Sequence, residues 1–266
     1  VKRGRSIAIA GAALLAAGAA GCTPGPVDVA TLAPNSLATE LVGHWTFDET
    51  AGATAHDSSG NQRDGAIASG GGFGPGWSWA PGHFAGGLHV SGIDQVTVGS
   101  PPFPQATASY SVAAWLMIQY GDVDPPLATL LSTETGFGGG WSMNVAPPPP
   151  PPGGGGSYRF AYPIGPYPQD YVFVECDCFA WNAWTHIAAV LDATTSTLTL
   201  YVNGVESSHA TAPAGISPHQ GTLFIGRWPG PGRNLAGTLD DVAIYSRALV
   251  PEEVALLASA PAPIPK

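Results

Sequence analysis

Residues 184–204 constrain the fold more than any other stretch, because two strands and a turn can be read there with almost no competing pattern. Trp184-Thr-His-Ile-Ala-Ala-Val-Leu-Asp192 is small or apolar on both alternating faces, as a strand with little exposure must be. Leu198, Leu200 and Val202 then point one way while Thr199, Tyr201 and Asn203 point the other, so the second strand is expected to have one wet face. Asn203-Gly204 supplies the positive backbone dihedrals of a tight hairpin. A sheet of antiparallel hairpins follows.

The same signals recur at residues 41–47, 89–98, 110–119, 128–132, 140–145, 158–162, 171–175, 222–226 and 237–245. The 36 Gly and 27 Pro that punctuate them leave few windows for long helices, so the chain reads as all-β, a two-sheet sandwich or a barrel. Residues 251–258 form the one convincing helix, with Pro251 at its first position and Glu252 and Glu253 where the helix dipole favours acids. Val254 and Leu257 are expected to dock it on the sandwich edge. Six prolines followed by four glycines, residues 147–156, read as the loop of a long hairpin.

Ahead of the domain, Lys2, Arg3 and Arg5 precede a short apolar run, the layout of an export signal, too short to span a bilayer comfortably. Ala19-Ala20-Gly21-Cys22 resembles the lipobox of bacterial lipoproteins, which implies a lipid on Cys22; ordinary cleavage after an Ala-x-Ala site is the alternative. Thr23 after that cysteine implies, by Gram-negative sorting rules, the outer membrane or cell surface. The expected organisation is a signal over residues 1–22, a flexible tether over 23–40, one domain over 41–258 and a frayed tail over 259–266.

Loss of the signal's three basic residues leaves six Lys/Arg against 19 Asp/Glu, a formal charge of −13. Such a surface repels phosphate backbones and excludes nucleic acid as a partner. A surplus of carboxylates suits Ca²⁺, which takes oxygen ligands. Cys176 and Cys178, in a disulfide-permitting compartment, read first as a local disulfide, then as free thiols, then as half a metal site.

Gly43-His-Trp-Thr-Phe-Asp-Glu49, Asp57-Ser-Ser-Gly-Asn61, Phe84-Ala-Gly-Gly-Leu-His-Val90, the strand over residues 110–116, the hairpin over 184–204 and the closing segment 237–249 occur in an order that resembles laminin-G-like, concanavalin A-like domains. The resemblance covers residues 41–257. It implies a jelly roll of two antiparallel sheets, often with a structural Ca²⁺, that binds glycans or proteins outside cells. Fold alone does not settle function.

In such sandwiches calcium ties the first strand to the last, which makes Asp48, Asp57, Asn61, Asp240 and Asp241 the expected donors; residues 57–61 also suit a side-chain-capped turn. Trp77, Trp79, Tyr162, Tyr167, Tyr171 and Trp228 lie in or beside Gly/Pro-rich loops and are the candidate sugar platforms, whereas Trp45, Trp115, Trp141 and Trp184 fit strand patterns and core positions. A laminarinase-type hydrolase would need Glu-x-Asp-x-x-Glu; Glu175-Cys176-Asp177 starts that pattern and Phe179-Ala180 ends it. Gly76-Trp-Ser-Trp-Ala80 fails the nucleophile elbow at its last position, and His186 reads as a hydrogen-bonded core histidine. The reading is an exported, lipid-anchored binding module for a glycan or protein partner. A glycan hydrolase or lyase and a structural envelope component are the alternatives.

Overall fold

The computed structural model describes residues 36–69, 76–99, 108–119, 127–133, 140–147, 155–163, 171–212, 221–230 and 232–259. Cys22, Tyr167 and most of the Pro/Gly run lie outside the described residues. With strands numbered in chain order, the described residues form two eight-stranded antiparallel sheets. The first runs β14 (Val205–Thr211), β13 (Thr197–Val202), β12 (Thr185–Asp192), β7 (Tyr110–Met117), β16 (Ala236–Tyr245), β5 (Gly86–Ser91), β4 (Ser78–Pro81), with β1 (Leu41–Trp45) also paired to β16. The second runs β11 (Tyr171–Cys176), β10 (Ser157–Pro163), β9 (Ser142–Ala146), β8 (Ala128–Ser132), β15 (Leu223–Ile225), β6 (Asp94–Val98), β3 (Gly65–Ser69), β2 (Thr54–Ala55). The helix α1 spans Pro251–Leu257. The fold is the expected all-β sandwich.

Period-two patterning builds the core. Val112, Ala114 and Leu116 of β7 and Ile187, Ala189 and Leu191 of β12 face Met143 and Val145 of β9 and Tyr158, Phe160 and Tyr162 of β10 across the sandwich, around the fully buried Trp45 and Trp141. Asn203 and Gly204 both have positive φ, 51° and 78°, the hairpin geometry read from the sequence. They join β13 to β14, a polar edge strand whose sequence carries no apolar alternation. Gly204 is also pressed against α1, where a side chain would sit 3.0 Å from Ala255.

Four expectations change. Residues 89–98 are not one strand: β5 and β6 belong to different sheets, and the chain crosses between them at Gly92, φ 89°. Buried Asp94 holds that crossing by accepting the Ser91 N–H at 2.9 Å, the Ser91 hydroxyl at 3.0 Å and the Ser69 hydroxyl at 2.7 Å. The face of β13 expected to be wet is covered, because Tyr201 packs with Ala113, Ala188, Val190 and Ala243 under Val254 of α1. The helix therefore docks on the outer face of the first sheet rather than on the sandwich edge. Finally, residues 36–40 pack on the domain: Ser36–Ala38 form a 3-10 turn with Leu37 buried in that outer layer.

The other end of the same outer face is covered by residues 82–85. His83 stacks on Trp115 at 3.6 Å, and Phe84 and Trp184 meet this pair edge-on. Trp115 and Trp184 thus lie outside the central core. His186 is buried beside Trp115, but its Nδ1 has no partner, and burial pushes its pKa down to about 3. On the second sheet the outward Thr129, Ser142 and Asn144 of β8 and β9 are buried as well, and its open aromatic surface lies at β11.

Candidate functional site

Alternation along β11 sends Val172, Val174 and Cys176 toward the core and Tyr171, Phe173 and Glu175 to the outer face. Tyr171 and Phe173 stack with centroids 6.0 Å apart, and Phe173 is 50% exposed, the most open large apolar side chain among the described residues. The antiparallel register then sets Arg159 of β10 opposite Glu175. The Arg159 guanidinium gives Glu175 two hydrogen bonds, 3.1 and 2.8 Å, and lies 5.2 Å from the Phe173 ring centroid. The Ser157 hydroxyl, donating to Glu175 at 2.5 Å, and after it Arg159 hold that carboxyl below its usual range.

The row continues across the sheet. Arg159 pairs with Asn144 of β9, Asn144 with Thr129 of β8, and Thr129 with Asn234 through an isolated parallel bridge. Thr129 donates its hydroxyl to Asn144 Oδ1 at 2.9 Å, and the Asn144 amide donates to the Ser142 hydroxyl at 3.0 Å. Side chains opposite one another share a face, so Glu175, Arg159, Asn144, Thr129 and Asn234 form one polar line about 19 Å long at the usual strand spacing. Its middle, Asn144 and Thr129, is buried; its β11 end is about one-third exposed, 35% for Arg159 and 34% for Glu175. At the exposed end, aromatic faces beside a fixed carboxylate and guanidinium are parts that can hold a sugar ring and its hydroxyls, while buried Asn144 and Thr129 brace the strands behind them.

The expected aromatic platforms fare unevenly. Tyr162 is buried in the core at 1% exposure and is removed from the set, because it alternates inward with Tyr158 and Phe160. Trp77 and Trp79 meet edge-on at 5.8 Å and pack partly against the core, with the Trp79 indole N–H bonded to the Gly52 carbonyl. Trp228 carries Arg233 over its ring and has Gly230 so close that a side chain there would collide with it. Of the described candidates, only Tyr171 joins the site. Phe173, Arg159 and Asn144 were missed, although the alternation of Tyr171, Phe173 and Glu175 was there to be read.

The five expected calcium donors are engaged by the protein itself. Asp57 accepts the N–H groups of His44 at 3.0 Å, Ser59 at 2.9 Å and Arg63 at 3.0 Å. Burial pushes its carboxyl up, but these bonds and the Ser59 side chain outweigh it and hold the carboxyl low. Asn61 turns its amide nitrogen to the Leu41 and Val42 carbonyls, so residues 57–61 are a capped turn. Asp48 accepts the Gly86 N–H, Asp240 those of His83 and Phe84, and Asp241 pairs with His44 at 2.9 Å. Among the described residues no three His, Cys, Asp or Glu side chains converge on one point. The set as arranged does not fit a calcium site. Cys176 and Cys178 are joined by a disulfide around Asp177, at the end of β11 next to Glu175.

A family model of the concanavalin A-like lectin/glucanases superfamily matches residues 91–255, more than half the chain. Domain 4 of an extracellular arabinanase from Geobacillus stearothermophilus, solved with arabinotriose, superposes with a TM-score of 0.58 at 21% identity, covering 83% of this chain and 98% of that one. The binding domain of Paraclostridial Mosquitocidal Protein 1 gives 0.62 at 16% identity, over 84% and 52%. The ligand-binding domain of botulinum neurotoxin serotype D, solved with N-acetylneuraminic acid, gives 0.59 at 14% identity, over 82% and 50%. The chain thus spans about half the length of the two toxin domains. No curated protein matches it by sequence. At these identities the likeness shows the fold.

Proposed function

Because the chain belongs to the concanavalin A-like lectin/glucanases superfamily, we propose that it is a binding module that takes a glycan on the outer face of its second sheet and does no chemistry on it. One observation carries the reading: an exposed Phe173 stacked on Tyr171 stands beside the fixed Arg159–Glu175 pair, at the open end of a polar row that crosses the sheet. The glycans bound by the arabinanase and neurotoxin domains support a saccharide as the ligand. With Asn144 and Thr129 buried, a saccharide meets the row only at its β11 end, on Phe173, Tyr171, Arg159 and Glu175. Against catalysis stands the state of Glu175. Bonded by Ser157 and Arg159 and held ionised, it is a poor general acid, and Phe179-Ala180 supply no second carboxylate. The proposed location is the cell envelope, with Cys22 lipidated; a diacylated cysteine at the mature amino terminus, seen by mass spectrometry, is the check.

A glycan array followed by calorimetry on the purified chain tests the reading. Phe173→Ala should weaken the best saccharide by about 1 kcal/mol, roughly fivefold in Kd, as a lost stacking contact does. No reducing ends should appear on prolonged incubation. Turnover of a polysaccharide, or binding that ignores Phe173, contradicts the proposal.

A further inference from the structure

Cys176 and Cys178 close a ring through a single residue, Asp177, at the point where β11 ends. Cys176 stands opposite Tyr158 as the last residue of the β10–β11 ladder and follows Glu175 directly. The chain is next held at Phe179. Its N–H donates to the Gly156 carbonyl at 3.1 Å, and its ring lies 5.6 Å from that of Tyr158 and 4.9 Å from that of Trp181. The bridge therefore spans the interval between two positions that are already anchored. A disulfide stabilises chiefly by restricting the unfolded chain, and by less the shorter the loop it closes, so this one adds little to the fold.

Its two cysteines are unlike. Cys176 is half-buried and packs against the core, whereas Cys178, like Asp177 before it, is exposed. Exposed disulfides are the ones open to thiol–disulfide exchange, and a thiolate approaching from solvent meets Cys178. What the closed bridge does fix is length. It sets the two Cα atoms 5.3 Å apart, and with the bridge open the same residues can extend to about 7 Å. That slack enters next to Glu175, whose bonds with Ser157 and Arg159 hold the carboxylate and guanidinium beside Phe173.

We propose that Cys176–Cys178 is a thiol–disulfide exchange site, with a dithiol as its partner, and that opening it loosens the saccharide surface of β11. One thiolate of the dithiol attacks Cys178 Sγ, forming a mixed disulfide and expelling Cys176 as a thiolate. The partner's second thiolate then attacks its own first sulfur in that mixed disulfide and expels Cys178. The partner leaves with an internal disulfide, and its two electrons and two protons remain on Cys176 and Cys178 as thiols. Because those thiols stay tethered through one residue, an oxidant can close the ring again. The effect on binding rests on the reading that Phe173 and the Arg159–Glu175 pair take a glycan; the exchange itself does not.

Measurements on the purified chain in its two redox states test the switch. Under native conditions dithiothreitol should open the bridge, read by alkylation and peptide mass spectrometry, while the near-ultraviolet circular dichroism of the folded chain is kept. The monothiol cysteamine should be trapped on Cys178 rather than on Cys176. Amide exchange should quicken in Tyr171–Cys176 on reduction and stay unchanged in α1. The best saccharide should bind the reduced chain about fivefold more weakly, the low end of coupling between two sites, and re-oxidation should restore it. Cys176→Ser/Cys178→Ser should match the reduced chain in affinity and melting temperature and ignore the reductant. A bridge that opens only on denaturation, adducts on Cys176, or unaltered exchange along β11 after opening overturns the switch whether or not a saccharide binds. Equal affinity of the two redox states, with binding still weakened by Phe173→Ala, also overturns it and leaves the glycan reading standing. Binding indifferent to Phe173 in both states overturns the glycan reading instead, and amide exchange along β11 then decides the switch.

Discussion

Asp240 and His186 are two buried ionisable groups whose pKa values are pushed in opposite directions. Burial first, and the neighbouring Asp241 second, push the Asp240 carboxyl up to about 7 from an ordinary 3.8. The folded protein therefore binds a proton that the unfolded chain has released. The resulting stability is complete below about 3.8 and is lost as pH rises through 7. His186, held near 3 against an ordinary 6.5, stays neutral when folded, so its effect runs the other way: stability is present above 6.5 and is lost as pH falls toward 3. Between about 4 and 6.5 the slopes of these two groups offset each other. Asp240→Asn keeps an acceptor for the His83 and Phe84 N–H groups and removes the acid. In urea titrations it should gain about 2–4 kcal/mol on the wild type between pH 4 and pH 8. A constant difference across that range would contradict this account. None of it was legible in the sequence, where Asp240-Asp241 read as metal ligands; the bulge that buries one and turns the other outward, with Asp241 at φ 46°, has no local signal.

At the scale of elements, α1 shows what local pattern conveys and what it does not. Pro251 and the two glutamates announced the helix, and Glu253 indeed accepts the Val250 N–H at 3.1 Å. Its dock was hidden, because the surface beneath it is assembled from Ala113, Ala188 and Ala243 on three strands distant in sequence. Seven residues are too few for a helix to persist alone, so packing and one arginine keep it in place. Arg247 grips Glu253 with both guanidinium ends, donates to the Ser36 and Thr39 carbonyls and lies over Tyr245 at 5.5 Å. It ties the start of the domain to its end. Arg247→Ala leaves Glu253 buried without its partner and should cost about 3 kcal/mol in chemical denaturation, with amide exchange rising first in β12 and β13 under the released helix. Retention of wild-type stability would show that the helix is held by its apolar face alone. The binding row divides in the same way: the outward parity of Tyr171, Phe173 and Glu175 could be read along β11, but Arg159, Asn144, Thr129 and Asn234 join it only through register.

For the whole molecule, the two sheets are used differently. The first spends its outer face on covers, α1 over one end and His83 with Phe84 over the other, while the second keeps an exposed aromatic and an ion pair on its own. Both sheets were foreseen because hairpin punctuation and alternation are local; which face stays open was not, since the covering segments, Leu37, His83 with Phe84, and α1, lie far in sequence from the strands they cover. Antiparallel sandwiches commonly leave one sheet face for partners, and the strands beneath it serve as a rigid platform. The most direct test is hydrogen exchange on the purified chain with and without its best saccharide. New protection should appear in Ser157–Pro163 and Tyr171–Cys176, with Trp77, Trp79 and α1 unchanged. Protection confined to the first sheet or to the Trp77–Trp79 pair would contradict the account.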